Sequence, residues 1–145
     1  MIAILDYGSG NLRSAQRAFA TCGLDVVVTA DRAVALEADG LVVPGVGAFA
    51  ACMQGLQSVD GGAIIRERIT NERPVLGICI GMQILFQDGS EHGENGNHAG
   101  VGVWDGEVSR LDAPILPHMG WNNVESDPNS TLFKGIAGES FYFVH

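Results

Sequence analysis

Positive charge, cysteine and long apolar runs are all scarce in this 145-residue chain. Lys and Arg number 8 against 17 Asp and Glu, for a net charge of −9. That balance disfavours nucleic acid or an anionic membrane surface as a partner. The three cysteines, Cys22, Cys52 and Cys79, are widely spaced and include no C-x-x-C. They read as reduced thiols in a cytosolic protein rather than as a disulfide framework or a zinc site. No apolar stretch reaches the ~20 residues needed to cross a bilayer. The opening Met-Ile-Ala-Ile-Leu-Asp6 has neither the basic region nor the cleavage site of a signal peptide. A soluble, cytoplasmic protein is expected. What the chain does have is 46% hydrophobic residues and 20 glycines, a globular composition. Its length predicts a single domain over residues 1–145.

The apolar pattern predicts α/β architecture. Ile2–Leu5, Val26–Val28, Gly40–Pro44 and the run after Pro74 are short and continuously apolar, as strands buried on both faces are. Between them, helical spacing covers Leu12–Cys22, a short helix capped by Asp31, and residues 48–57 and 60–71. Gln83–Phe86 reads as helix, and Asp88–Asn97 as a polar, Gly-rich surface loop. Beyond it, Val101–Trp104, Glu107–Leu111, Trp121–Glu125 and Phe141–Val144 read as short strands. Strands alternating with helices predict a parallel sheet covered by helices. Chemistry then collects at the strands' carboxyl ends, where Asp6, Pro44-Gly45 and Cys79 fall.

Cys79 stands in Pro74-Val-Leu-Gly-Ile-Cys-Ile-Gly-Met-Gln83, an apolar run followed by a helical start with glycines on both sides of the cysteine. This is the strand, sharp turn and helix of a nucleophile elbow, with cysteine in the place of serine. A thiol at a helix N-terminus gains thiolate character from the dipole. The competing reading is a buried cysteine in a core strand; the paired glycines favour the nucleophile. Its oxyanion would be met by the Ile80 N–H and by the Pro44-Gly-Val-Gly47 loop. Gly8-Ser-Gly10 lacks the spacing and lysine of a phosphate loop. His92 and His98 match no metal-ligand spacing and read as solvated loop histidines, so no metal and no cofactor are expected. Pro117-His-Met-Gly-Trp-Asn122 reads either as a strand end with a packed Trp or as a functional motif.

Together, Asp6-Tyr-Gly-Ser-Gly-Asn-Leu-Arg-Ser14, Pro44-Gly-Val-Gly47, Gly77-Ile-Cys-Ile-Gly-Met-Gln83, Pro117-His-Met-Gly-Trp-Asn122 and Phe141-Tyr-Phe-Val-His145 resemble the class I glutamine amidotransferases. More closely, they resemble the glutaminase subunits of imidazole glycerol phosphate synthases, over essentially the whole chain. The resemblance implies a flavodoxin-like domain that hydrolyses glutamine to glutamate and ammonia through a cysteine thioester. It implies a (β/α)8-barrel cyclase subunit as heterodimer partner, which uses the channelled ammonia to make imidazole glycerol phosphate in histidine biosynthesis. Carried over by motif, Cys79 is the nucleophile, and Val46 and Ile80 are the oxyanion donors. Gly47 and Gln83 help hold glutamine. Met119, Trp121, Asn122 and Tyr142 face the cyclase and the ammonia route, and Asn11 belongs to the subunit interface.

The resemblance also implies a His-Pro-Glu element downstream of Phe141-Tyr-Phe-Val-His145, carrying the base and the carboxylate that orients it. Neither His118 nor His145 corresponds to that base. The expectation is a C-terminally truncated domain lacking the final strands of the sheet, with an unpaired edge and negligible glutaminase activity alone. The alternative is an inactive cyclase-binding module. A cysteine hydrolase or redox sensor on a similar fold would leave Pro117–Asn122 without a role.

Overall fold

The computed structural model describes residues 1–90 and 97–145, which form two compact units, residues 1–110 and 111–145. In the first unit, β1 (Ile2–Leu5), β2 (Val26–Thr29), β3 (Gly40–Gly45) and β4 (Val75–Cys79) make a parallel sheet in the order β2-β1-β3-β4. The connecting helices are α1 (Leu12–Thr21), α2 (Arg32–Glu37), α3 (Phe49–Ser58) and α4 (Gly61–Thr70). Asn11 and Asp31 cap α1 and α2, their side chains accepting from the N–H groups of Ser14 and Val34, which satisfies amides that a helix start leaves free. Ala3, Leu5, Leu41 and Val43 join the main core with Phe49, Leu56, Ile64 and Ile65. Ile4 and Val42, also buried, alternate to the opposite face of the strands. Both faces of the sheet are therefore covered, as a parallel sheet requires.

After β4 comes α5 (Ile80–Gln83), then β5 (Phe86–Gly89), β6 (His98–Ala99) and β7 (Trp104–Val108), the last three forming a second sheet in the order β6-β5-β7. This region departs from the sequence reading. The helix expected through Phe86 ends at Gln83: the Leu85 N–H donates to Met82 O at 3.1 Å in a tightened last turn, and Ile84 to Phe86 pair their carbonyls with another segment. The N–H groups of Val101, Val103 and Gly102 donate to Ile84, Leu85 and Phe86 O at 2.8, 2.8 and 3.1 Å. Asp88 and Gly89 belong to β5 rather than to a loop, and the two strands expected over residues 101–111 are replaced by β7. Gly89 and Gly100 explain the close packing here: a Cβ on either would meet the Phe49 ring, at 2.6 and 3.1 Å. His98 is half-buried in β6 rather than solvated. His92 lies outside the described residues.

The second unit is built on an antiparallel pair, β8 (Met119–Asn123) and β9 (Ser140–Val144), with Trp121 opposite Tyr142 and Met119 opposite Val144. Among the described residues no helix is long and apolar enough to cross a membrane.

Candidate active site

In the first unit, strand register brings the candidate groups together. Gly45, the last residue of β3, pairs with Cys79, the last residue of β4, so the Pro44–Gly47 loop and the cysteine turn leave the sheet side by side. Cys79 has φ 58° and ψ −123°, a conformation that costs a non-glycine residue on the order of 1–3 kcal/mol and concentrates at functional sites. The strained turn of a nucleophile elbow is thus present, and the thiol is exposed. The glycines around it are required by contact. A Cβ on Gly81 would lie 1.8 Å from Val43 O, one on Gly45 2.4 Å from Gly81 N, and one on Gly77 2.5 Å from Met82 Cα.

Ile80 opens α5, so its N–H has no acceptor within the helix and is placed to serve an oxyanion. The dipole expected behind Cys79 is smaller than the sequence suggested, because α5 is a single turn of four residues; the free N–H groups of that turn are what remains. Gln83 is half-buried, and its Oε1 is a buried acceptor with no partner among the described residues. Gly47 is exposed at φ 85°.

Val46 differs from the expectation. Its side chain is 54% exposed, but its N–H, the expected second oxyanion donor, donates to Ser9 Oγ at 3.2 Å. Its carbonyl accepts from Ser9 Oγ at 3.1 Å and from Cys52 Sγ at 3.3 Å, and Ser9 Oγ and Cys52 Sγ are 3.1 Å apart. Beneath them the buried Tyr7 hydroxyl donates to Pro44 O. Burial, and then the neighbouring Cys52, push this phenol well above its ordinary value. The sequence reading missed Tyr7, Ser9 and Cys52 as part of the site. The available signal was Gly8-Ser9-Gly10 at the carboxyl end of β1, a loop that lacks phosphate-binding spacing and lies within the Asp6–Ser14 motif of the resemblance, where Tyr7 and Ser9 carry no assigned role.

Asn11 is exposed and spends its Oδ1 on the α1 cap. In the second unit, Met119, Trp121, Tyr142 and Val144 share one face of the β8–β9 pair and are exposed at 54, 71, 52 and 56%. The rings of Trp121 and Tyr142 meet edge-on at 5.5 Å. Asn122, opposite Phe141, takes the other face. His118 and His145 close the end of the pair, with Nδ1 and Nε2 3.1 Å apart. Among the described residues no group of three or more metal-ligating side chains comes together.

A family model described as glutamine amidotransferase class-I matches residues 3–145. A Corynebacterium glutamicum protein named imidazole glycerol phosphate synthase subunit HisH is 59% identical over 145 residues, covering 99% of this chain and 68% of that protein. The Mycobacterium tuberculosis H37Rv protein of the same name is 59% identical, covering 99% of this chain and 69% of that one. Among solved structures, one described as a glutamine amidotransferase superposes with a TM-score of 0.71 at 18% identity, covering 99% of this chain and 69% of that one. This likeness supports the flavodoxin-like fold alone. On the family match and the two sequence relatives, the chain belongs to the class-I glutamine amidotransferase family, in the branch whose members are named imidazole glycerol phosphate synthase subunit HisH.

Proposed function

We propose that this chain is the glutaminase subunit of an imidazole glycerol phosphate synthase, with Cys79 as nucleophile. The observation that carries the reading is the strained Cys79 turn standing in register with the end of β3. The thiolate attacks the carboxamide carbon of glutamine. The oxyanion that forms is held by the Ile80 N–H and, once it is free, by the Val46 N–H. The C–N bond breaks, ammonia leaves with a proton from the catalytic base, and water hydrolyses the thioester to glutamate. Gly47 exposes backbone to the substrate, and the unpartnered Gln83 Oε1 supplies an acceptor for its ammonium or amide. The ammonia passes to a (β/α)8-barrel cyclase subunit in a cytoplasmic heterodimer. Asn11 lies at the subunit interface, and Met119, Trp121 and Tyr142 lie along the cyclase-facing surface and ammonia route, with Asn122 turned to the other face of the β8–β9 pair. The family match over both units supports treating them as parts of one amidotransferase domain.

The base is not among the groups bonded to Cys79, whose thiol has no hydrogen-bond partner among the described residues. Tested alone, the 145-residue chain should therefore hydrolyse glutamine on the order of 10⁴-fold slower than a complete triad does. A second reading, a cyclase-binding module without glutaminase activity, is favoured by the engaged Val46 N–H. Two measurements test these readings. A chloroketone analogue of glutamine should alkylate Cys79 ahead of Cys22 and Cys52, and failure to do so removes the nucleophile assignment. Glutamate release by these residues in the presence of the cyclase subunit should stay on the order of 10⁴-fold below that of a complete triad, and turnover at an ordinary enzyme rate would show that a base reaches Cys79.

A further inference from the structure

Two motifs of the sequence each carry a histidine that the amidotransferase reading leaves without a role, His118 in Pro117–Asn122 and His145 in Phe141–His145. The fold brings them together. They stand directly opposite each other at the end of the β8–β9 pair, each donating its backbone N–H to the other's carbonyl. Side chains at such positions leave the same face of the two strands, with Cβ atoms about 5 Å apart. That face is the one opposite Trp121 and Tyr142. Stacking on Phe143, at 5.8 Å between ring centroids, further holds the His145 ring. His118 Nδ1 and His145 Nε2 lie 3.1 Å apart. Both rings line a hollow of about 360 Å³, with Asn122 and Phe143 among its other walls.

Imidazole nitrogen bonds zinc at ~2.0–2.1 Å. Two nitrogens 3.1 Å apart therefore subtend about 100° at an ion bound to both, between the octahedral and tetrahedral angles. Among the described residues neither imidazole pairs with a carboxylate, so the donor set is nitrogen. That excludes Ca²⁺ and Mg²⁺, which take oxygen ligands, and suits Zn²⁺, Ni²⁺ and Cu²⁺. Asn122 Oδ1 is spent on the Asn123 N–H, which leaves the ion's remaining positions to water in the hollow. On binding, the proton held between the rings moves to the other nitrogen of its own imidazole, and both rings stay neutral.

We propose that His118 and His145 form a chelating pair for a divalent transition ion of the zinc class. The site lies wholly within residues 111–145 and stands independently of the glutaminase reading of Cys79. Its ion ties β8 to β9 at one end and steadies the pairing that sets Trp121 beside Tyr142.

The test uses the full chain carrying Cys22→Ser and Cys79→Ser, because exposed thiols compete for the same ions. In calorimetry at slightly alkaline pH, Zn²⁺ should bind at one equivalent in the micromolar range. It should also slow amide hydrogen exchange at Trp121 and Tyr142. His118→Gln and His145→Gln should each weaken binding at least ~10-fold, a cost that loss of even a supporting contact to a metal carries. His98→Gln, at the half-buried histidine of β6, should leave the affinity unchanged. Cu²⁺ in place of zinc should show coupling to two imidazole nitrogens by electron paramagnetic resonance, a readout that needs no histidine variant. Absence of micromolar binding, affinity that either glutamine variant retains, or coupling to fewer than two nitrogens overturns the chelating pair.

Discussion

A methyl group on Gly81 would lie 1.8 Å from the Val43 carbonyl oxygen, so the turn carrying Cys79 touches the end of β3 backbone to backbone. At the scale of single residues the site is made of such contacts, and Tyr7 is the one whose energetics have a clear pH signature. Its phenol is pushed up, first by burial, from an ordinary value of 10.0. The folded protein keeps a proton that the unfolded chain begins to release near pH ~10. This contribution is therefore complete below that pH and is lost as pH rises beyond it. Tyr7→Phe should cost about 1 kcal/mol near neutral pH, through loss of the bond to Pro44 O. The deficit should shrink at about pH 10.5, where the wild type carries the penalty and the variant does not. Urea unfolding at the two pH values checks this; a deficit that grows with pH would refute it.

At the scale of elements, the four parallel strands and α1 to α4 were legible because their signals are local. Uninterrupted Val, Ile and Leu runs end at Gly or Asp, and Asn11 and Asp31 stand at helix starts. The region after Gln83 was not legible. Ile84 to Phe86 suits a helix locally, and only the N–H groups of residues 101–103, far along the chain, turn it away from one. Nor did the sequence reveal Arg68. It is fully buried and donates from Nη1 to Ala35, Leu36 and Ala38 O and from Nη2 to Asp39 and Pro74 O. A single side chain on α4 thereby closes the end of α2 and the approach to β4. Arg68→Met keeps much of the volume but removes the guanidinium's hydrogen bonds to those carbonyls, of which only Leu36 O and Pro74 O have a second recorded donor, Arg73 and the Leu41 N–H, and should destabilise the fold by on the order of 3 kcal/mol. Chemical denaturation measures it; a loss below about 1 kcal/mol would mean that water replaces the guanidinium.

For the molecule as a whole, the Cys79 turn and the exposed aromatic face lie in different compact units, residues 1–110 and 111–145. The motifs that identified Cys79 were readable from spacing, since a turn with two glycines has few other uses. The face holding Met119, Trp121, Tyr142 and Val144 emerges only when β8 and β9 pair in register, and the same register sets Asn122 apart from it. A contiguous exposed apolar face marks an interaction site, and large aromatics dominate binding energy at such sites. Trp121→Ala should weaken association with the proposed cyclase subunit at least ~30-fold, by about 2 kcal/mol. Its 71% exposure means the variant should unfold at nearly the wild-type temperature. Titration calorimetry with the barrel subunit decides this, and unaltered affinity would place the docking surface elsewhere.

The contacts on Val46 also set a dynamic range. Three hydrogen bonds hold that segment, each contributing about 0.5–1.5 kcal/mol net. If the Val46 N–H completes the oxyanion hole as proposed, the conformer that frees it is between about one molecule in 10 and one in 2000 at rest. Anything that frees this N–H can then accelerate the chemistry by no more than that same factor, however tightly it binds. The hydroxyl of Ser9 and the thiol of Cys52 would thus fix the ceiling of activation, while the partner sets only how closely it is approached.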